Sequence, residues 1–227
     1  MEIALPFVDR EEAGELLAEV LAGLRLPRPL VLALPRGGVP VAVPIGAALD
    51  APVDVLVTRK IGHPAQPELG LGAIAEGGEP VFDENMLRAV GLKAADLAAV
   101  AERERRELAR RVEVYRGGRA LPRLAGRAVV VVDDGLATGG TARAALRAVR
   151  AMRAGQREPG EDPGTVTLAV PVAARQTVRA LTGEADGLVV LAQPAVFRAV
   201  GQHYLSFDQL TDADVLALLA GRRGASG

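Results

Sequence analysis

Val129-Val130-Val131-Val132-Asp133-Asp134-Gly135-Leu136-Ala137-Thr138-Gly139-Gly140-Thr141 is the stretch that decides how this chain folds. A run of β-branched residues with no polar alternation reads as a strand buried on both faces, hence central in a parallel sheet. Two carboxylates follow where that strand must end. Small and hydroxyl residues come next, and residues 142–149 then have strong helix propensity. The order is strand, acidic pair, Gly/Thr turn, helix. In an open parallel sheet, ligands bind outside the carboxyl ends of the strands, where such a turn lies.

Each part of the turn implies its own chemistry. Gly139 and Gly140 lack a Cβ, so their amides can approach an anion closely. Gly135 and Ala137 keep the turn small, and Thr138 and Thr141 add hydroxyl donors. The helix that follows points unsatisfied amides and the positive end of its dipole into the turn, which suits a phosphate. Asp133 and Asp134 would repel a phosphate. They suit vicinal hydroxyls, which need paired acceptors, or a divalent cation. A phosphate beside a diol implies a ribose 5-phosphate group.

The run from Val129 to Thr141 resembles the signature of the type I phosphoribosyltransferases: four apolar residues, two acids, and a loop ending Thr-Gly-x-Thr. The resemblance implies that residues 133–141 hold the ribose 5-phosphate of phosphoribosyl pyrophosphate. It also implies a Rossmann-like, mostly parallel α/β sheet flanked by helices and covered by a small hood. Ala137 stands where many members have Thr, a departure that leaves the amide donors in place.

Composition sets the limits around this reading. At 227 residues the chain can form one sizeable core, with hydrophobic residues at 49%. Lys+Arg number 27 against Asp+Glu 28, a net charge of -1, so no global basic field invites nucleic acid. Cysteine is absent, which excludes disulfides and thiolate metal sites. No leader-like N-terminus and no apolar run of about 20 residues is seen, so a cytoplasmic protein with no membrane partner is expected.

Along the chain, Asp9-Arg10-Glu11-Glu12 reads as an acidic helix cap with Glu three residues on, followed by Leu16, Leu17, Val20, Leu21 and Leu24 at helical spacing. That face reads as packing, with no chemistry visible. Leu30-Val31-Leu32-Ala33-Leu34 is the first buried strand, turning at Pro35-Arg36-Gly37-Gly38 into a helix over residues 39–49 in which Pro44 is awkward. Alone, Arg-Gly-Gly is a tight turn. The resemblance makes it the short loop whose amides and basic residue, Gly37 and Arg36, bind pyrophosphate, often with a non-proline cis peptide in family members.

Val53-Asp54-Val55-Leu56-Val57 is the second strand, ending in Thr58-Arg59-Lys60, and residues 61–70 read as an unpatterned Gly/Pro loop. Such loops are often lids. Family members similarly carry a mobile loop here, which makes Arg59 and Lys60 the expected pyrophosphate ligands and catalytic groups together with Asp133 and Asp134. The alternative is a pair of solvated charges. His63 reads as solvated or bonded to backbone.

Strands over residues 71–75 and 80–82 form a hairpin; Asp83 caps a short helix over 84–90, and a long charged helix runs over 94–115. Further strands fall at 166–170 and 188–191, with a helix through Leu181 between them and Thr211-Asp212-Ala213-Asp214 capping a closing helix. The alternation implies right-handed crossovers. Residues 1–227 thus form one domain, with a core over about 28–192 and a hood built from about 1–27 and 193–227. In family members the hood selects the acceptor. Phe197 and Tyr204 are the candidates for stacking on a planar base, against the alternative that these aromatics only pack.

The Leu-Pro-Arg-Gly-Gly turn, the Arg-Lys-x-Gly loop and the closing Thr-Asp-Ala-Asp helix resemble one branch of this superfamily, over residues 7–219. What the resemblance implies is a Mg²⁺-dependent transfer of a 5-phosphoribosyl group from phosphoribosyl pyrophosphate to a nitrogenous base or related acceptor, releasing pyrophosphate. Mg²⁺ would bind mainly through the substrate, with Asp133 and Asp134 as available ligands. A homodimer is compatible with it. The competing reading is a phosphoribosyl pyrophosphate-binding regulator without turnover; a P-loop is excluded because Thr141 stands where that motif needs Lys.

Overall fold

A computed structural model describes residues 3–224, with side chains described through Gly221. Its main sheet is parallel throughout and contains β1 (Leu30–Ala33), β2 (Val53–Val55), β6 (Ala128–Val132), β7 (Thr165–Val172) and β8 (Gly187–Ala192), in the order β2-β1-β6-β7-β8. Every residue of β1 and β6 is buried, as an unbroken apolar run requires of a strand covered on both faces. β6 is the middle strand. The chain winds outward from it in both directions, through α2 (Gly38–Ala48) between β1 and β2, and through α5 (Gly140–Gln156) and α6 (Arg175–Leu181) between β6, β7 and β8. The strand order therefore reverses between β1 and β6, which opens a crevice above their carboxyl ends.

Two apolar layers sandwich the sheet. On one side α1 (Arg10–Ala22), α2, α4 (Ala98–Arg116) and α7 (Asp212–Gly224) bury Leu17, Leu21, Ile45, Leu108, Val215 and Leu219 against Val31, Val55 and Val130. On the other, Leu146 and Val149 of α5 and Leu181 of α6 pack on Leu32, Val129, Val131 and Leu168. Gly14 lets α1 lie directly on α2: a Cβ there would come within 2.4 Å of the Val41 carbonyl oxygen and 2.6 Å of Pro44. Pro44 sits inside α2 without ending it.

Local signals set the helix ends. Asp9 Oδ1 accepts from Glu12 N at 2.9 Å, and Asp83 Oδ1 accepts from Asn85 N and Met86 N to start α3 (Glu84–Val90). Thr211 and Asp214 cap α7 reciprocally, with Thr211 N donating to Asp214 Oδ2 at 2.7 Å and Asp214 N donating to Thr211 Oγ1 at 3.2 Å. Gly117 closes α4 in the left-handed conformation, at φ 56°.

Two stretches differ from the sequence expectation. Residues 61–70 are an antiparallel ribbon: β3 (Thr58–His63) pairs with β4 (Gln66–Ala75), and β4 pairs with β5 (Val81–Phe82). Irregular register at Ile61, Gly62 and His63 hides the strand alternation, and Gly62 is needed because a Cβ would lie 2.2 Å from the Pro67 carbonyl oxygen. The ribbon stands on α5 through small residues, Ala73 and Ala75 against Ala144 and Ala148. Pro171 lies inside β7 and does not end it: the β7–β8 register passes from Val170↔Val190 to Val172↔Ala192. The β6 ladder has already stopped at Ala169, so the missing amide breaks no β6–β7 bond.

The chain's two ends meet above the sheet. Phe7 N donates to the His203 carbonyl at 2.9 Å, and Leu205 N and Ser206 N donate to the carbonyls of Phe7 and Val8 at 2.8 and 2.9 Å. Phe7, Ala13 and Tyr204 then pack over Val172 at the carboxyl end of β7, with Phe197, Val200 and Phe207 around them. This is the small hood. It sits beside the crevice.

Candidate active site

The loops that follow β1 and β6 touch across the crevice. Leu34 N donates to the Val132 carbonyl at 2.8 Å, which carries the pairing of β1 and β6 past the last ladder residue. The next residues turn away through a cis peptide between Pro35 and Arg36. Gly37 then lies against the second acid: a Cβ at Gly37 would fall 2.0 Å from Asp134 Oδ2. Gly38 is similarly tight, with its Cβ position 2.5 Å from the Val132 carbonyl oxygen. The glycines of Arg-Gly-Gly are therefore required by the neighbouring acid loop as well as by the turn. Arg36 is exposed at the rim, and among the described residues no carboxylate pairs with its guanidinium.

Asp133 and Asp134 are half-buried at the end of β6. Asp133 Oδ1 accepts from Asp134 N at 2.9 Å. Burial pushes the Asp133 carboxyl well above the ordinary carboxylate range, and the adjacent Asp134 pushes it the same way. The Asp134 carboxyl is also raised by burial, against an opposing pull from the Arg10 guanidinium. Desolvated like charges at one strand end are unfavourable for the fold alone, which is how a site built for a polar ligand behaves.

This arrangement fixes a stability prediction. A buried acid with a raised pKa destabilises the folded state above its unfolded-state pKa, because the native chain holds its proton longer, and the penalty grows as pH rises through the folded value. Asp133→Asn should therefore raise the melting temperature of the ligand-free protein, and by more at pH 8 than at pH 4.5. Each kcal/mol gained is roughly 2–4 °C for a chain of this size. Thermal denaturation at the two pH values checks it; an equal or smaller gain at pH 8 would show that burial and Asp134 do not raise the Asp133 carboxyl.

The rest of the loop is anchored from below and open above. Leu136 N donates to the Val172 carbonyl at 2.9 Å, and Ala174 N returns a bond to the Leu136 carbonyl at 3.0 Å. The Thr177 hydroxyl donates to the Ala137 carbonyl. Ala137 and Thr138 form the exposed tip. Gly139 takes φ 75°, a left-handed conformation in which glycine is unstrained, and opens α5 with no side-chain cap. The first amides of α5, from Gly140 and Thr141, thus lack the usual side-chain acceptor and face outward with the dipole. Among the described residues no side chain caps them, which leaves them to an anion.

A cleft of about 820 Å³ runs from these residues to the β3–β5 ribbon, lined by Thr138, Gly140, Thr141 and Arg143 on one side and by Lys60, Leu69 and Asn85 on the other. Lys60 Nζ donates to the Glu68 carbonyl at 3.2 Å and remains half exposed. Arg59 is not brought into this cleft. Its Nε and Nη2 donate to Glu104 Oε2 on α4, at 3.0 and 2.8 Å. Adjacent residues of a strand project to opposite faces, so once residues 58–63 are a strand only Lys60 of the pair lines this cleft, while both line a smaller one of about 240 Å³ beside Glu104. His63 Nδ1 accepts from Ala65 N within its own turn.

The hood contributes a residue that sequence reasoning missed. Arg10, the first residue of α1, reaches across the crevice so that its Nε donates to Asp134 Oδ2 at 2.8 Å, with side chains only 12% and 15% exposed. Its Nη1 donates to the Asp208 carbonyl at 3.0 Å, and its guanidinium lies 3.7 Å from the centre of the Phe207 ring. A signal was present: a cation in the first turn of a helix opposes the dipole and needs a carboxylate from elsewhere. Tyr204 is buried, 5.5 Å from the Phe7 ring and 5.1 Å from the Phe207 ring, and its hydroxyl donates to the Asp134 carbonyl at 2.6 Å. Its ring offers no face to a base. Phe197 packs on His203 at 4.9 Å.

Residues 10–184 match the family described as the phosphoribosyl transferase domain. This chain belongs to that family. Two Mycobacterium tuberculosis proteins, from strains CDC 1551 / Oshkosh and ATCC 25618 / H37Rv, are each provisionally named a phosphoribosyl transferase and are 47% identical over 213 residues. That alignment takes in 94% of this chain and 46% of theirs, so the chain spans a little under half the length of these relatives. The crystal structure of TT1426 from Thermus thermophilus is 44% identical, with a TM-score of 0.76, covering 96% of this chain and 99% of that one. Within the phosphoribosyl transferase domain, the matched span begins at Arg10 and takes in the Gly37 loop, the ribbon and the acidic loop.

Proposed function

We propose that this chain transfers a 5-phosphoribosyl group from phosphoribosyl pyrophosphate to a nitrogenous base or related acceptor and releases pyrophosphate. The observation that carries the reading is the meeting of the Gly37 loop with the Asp133–Asp134 loop at the strand-order reversal, beside the uncapped start of α5. Membership of the phosphoribosyl transferase domain family supports it.

In this reading the amides of Gly139, Gly140 and Thr141 and the hydroxyls of Thr138 and Thr141 take the 5-phosphate. Asp133 and Asp134 accept from the ribose hydroxyls and favour positive charge at the anomeric carbon. Arg36, the Gly37 amide and Lys60 receive the pyrophosphate. Arg59 joins them only if Glu104 releases it, so its role requires movement of the ribbon. The C1–O bond to pyrophosphate breaks ahead of full bond formation to the acceptor nitrogen, and positioned charges supply most of the acceleration. Closure of the ribbon over the cleft excludes the water that would hydrolyse the donor.

Mg²⁺ fits this donor set, because an ion bound mainly through donor oxygens needs only one or two carboxylates in support, and Asp133 and Asp134 stand together at the end of β6. Asp133 and Asp134 would be those carboxylates, and the ion would neutralise the departing pyrophosphate. The proposal keeps the protein in the cytoplasm, acting on small molecules without nucleic acid, with a homodimer as the compatible assembly. Among the described residues, no helix is long and apolar enough to cross a membrane.

The test is pyrophosphate release from phosphoribosyl pyrophosphate and Mg²⁺, screened over purines, pyrimidines and pyridine carboxylates. Release dependent on one acceptor class is the expected result. Tight donor binding with no release on any acceptor would move the reading to a regulator, and failure to bind the donor would remove both.

A further inference from the structure

Arg10 is built into the site from the hood, and the transfer chemistry above leaves it without a task. The observations around it are specific. Three partners fix the guanidinium: Asp134 Oδ2 at 2.8 Å, the Asp208 carbonyl at 3.0 Å and the Phe207 ring at 3.7 Å. The same acid is held from its backbone side, where the Tyr204 hydroxyl donates to the Asp134 carbonyl at 2.6 Å. Arg10 comes from the N-terminal segment, and Tyr204, Phe207 and Asp208 come from the C-terminal one. Both halves of the hood therefore grip one residue of the acidic loop.

The grip leaves part of the acid unused. Arg10 bonds Oδ2, the oxygen that also faces the Gly37 backbone, while no hydrogen bond from another of the described residues reaches Asp134 Oδ1. A carboxylate held through one oxygen presents the other in a fixed direction, with its remaining acceptor sites open to a hydroxyl. Planar Arg, with Nε and Nη1 committed to separate acceptors and its face on an aromatic ring, fixes orientation in a way that the single ammonium of Lys does not.

We propose that Arg10 is a positioning residue for donor binding: seated by Phe207 and Asp208 and backed by Tyr204, it orients the Asp134 carboxylate so that Oδ1 receives a ribose hydroxyl of the phosphoribosyl donor. The inference rests on the proposed use of Asp134 as a ribose acceptor. It ties closure of the hood to the donor half of the site, so a chain whose hood ends are separated would lose donor affinity although no donor ligand had been removed. Gripping a residue shared by two segments is a standard way to preorganise a binding group.

The test is a double-mutant cycle read by calorimetric titration of phosphoribosyl pyrophosphate with Mg²⁺, on the full chain, using Arg10→Met, Asp134→Asn and the pair. Arg10→Met alone should weaken donor binding by about tenfold or more. In the Asp134→Asn background the same change should cost at most about twofold, because residues acting through one contact are not additive. Arg10→Lys should restore part of the affinity. Tyr204→Phe, which keeps the ring and removes the hydroxyl, should weaken binding in the same direction and supplies the answer if Arg10→Met does not fold in a thermal melt. Donor affinity unchanged in Arg10→Met, tighter binding in that variant, or fully additive losses would each overturn the proposal; tighter binding would make Arg10 a competitor for the acid. If the unmodified chain binds no donor, the functional reading fails first. If it binds and the variants match it, only the role of Arg10 fails.

Discussion

Asp134→Asn is expected to lower transferase turnover on the order of 100-fold or more, with the fold retained. Asn matches Asp in shape, so the Gly37 contact and the loop path survive, while one of the two carboxylate oxygens, the one that accepts from Arg10 or the one offered to the ribose hydroxyl, becomes an amide that donates instead of accepting. The charge that favours a cationic sugar is lost as well. Lys60→Ala should cause a loss of similar size, because Lys60 is the basic side chain that lines the cleft opposite Thr138 and Thr141. The two differ in where the loss appears. Asp134 acts on the ribose in ground state and transition state, so its replacement should raise the KM for donor and lower kcat; Lys60 meets charge that grows as pyrophosphate leaves, so kcat should carry most of its effect. Steady-state kinetics with the best acceptor from the screen separates them. Full activity in both variants would remove the acidic loop and the ribbon from the chemistry.

Gly37→Ala is the second large effect. A Cβ at residue 37 would lie 2.0 Å from Asp134 Oδ2 and 2.5 Å from its Cγ, far inside contact distance. The Asp134 side chain is short and held by Arg10, so it must leave its position or push the Gly37 loop outward. Either movement displaces a donor-binding group, and a displacement near 1 Å in a positioned site costs about 100-fold. Donor affinity and turnover should therefore both fall in a chain that still melts cooperatively. Gly155→Ala is the matched control: it lies in α5 with nothing within 4 Å of its Cβ position, and should keep activity with equal or greater stability. Wild-type kinetics in Gly37→Ala would mean that the two loops are further apart in the working protein.

What could be read from the sequence was what local chemistry specifies. Val129 to Val132 have no solvent-facing alternation, and β6 is the central strand. Asp83, Asp9 and the Thr211–Asp214 pair cap helices because a side-chain oxygen reaches an amide two or three residues away. The Gly37 loop and the acidic loop were recognisable separately; that they touch follows from the strand order, which a residue pattern shows only after the crossovers are placed. The ribbon over residues 58–70 was not legible, although its continuation as a hairpin of residues 71–75 with 80–82 was. Its Gly62, Pro64, Pro67 and Gly70 suppress the period-2 signal, and its pairing is irregular in register. In that pairing Arg59 is bound to Glu104 and only Lys60 of the two lines the larger cleft, although both line a smaller cleft beside Glu104.

The hood was least legible of all. The contact between Arg10 and Asp134 joins residues 124 positions apart, and the bond from Tyr204 to Asp134 spans 70. Tyr204 carried an aromatic signal open to two readings, packing or base stacking. Its burial between Phe7 and Phe207 and its bond to the acidic loop give it a supporting place instead. Tyr204, packed between Phe7 and Phe207, thus presents no open face to an acceptor.

A crystal structure of the chain with phosphoribosyl pyrophosphate and Mg²⁺ tests the donor site most directly. The 5-phosphate should lie on the amides of Gly139 to Thr141 at hydrogen-bond distance, about 2.7–3.2 Å, with the ribose hydroxyls on Asp133 and Asp134 and the pyrophosphate between Gly37 and Lys60. A donor bound with its pyrophosphate on the Thr138–Thr141 loop, or bound elsewhere while that loop stays empty, would contradict the assignment of the acidic loop and of every residue argued from it.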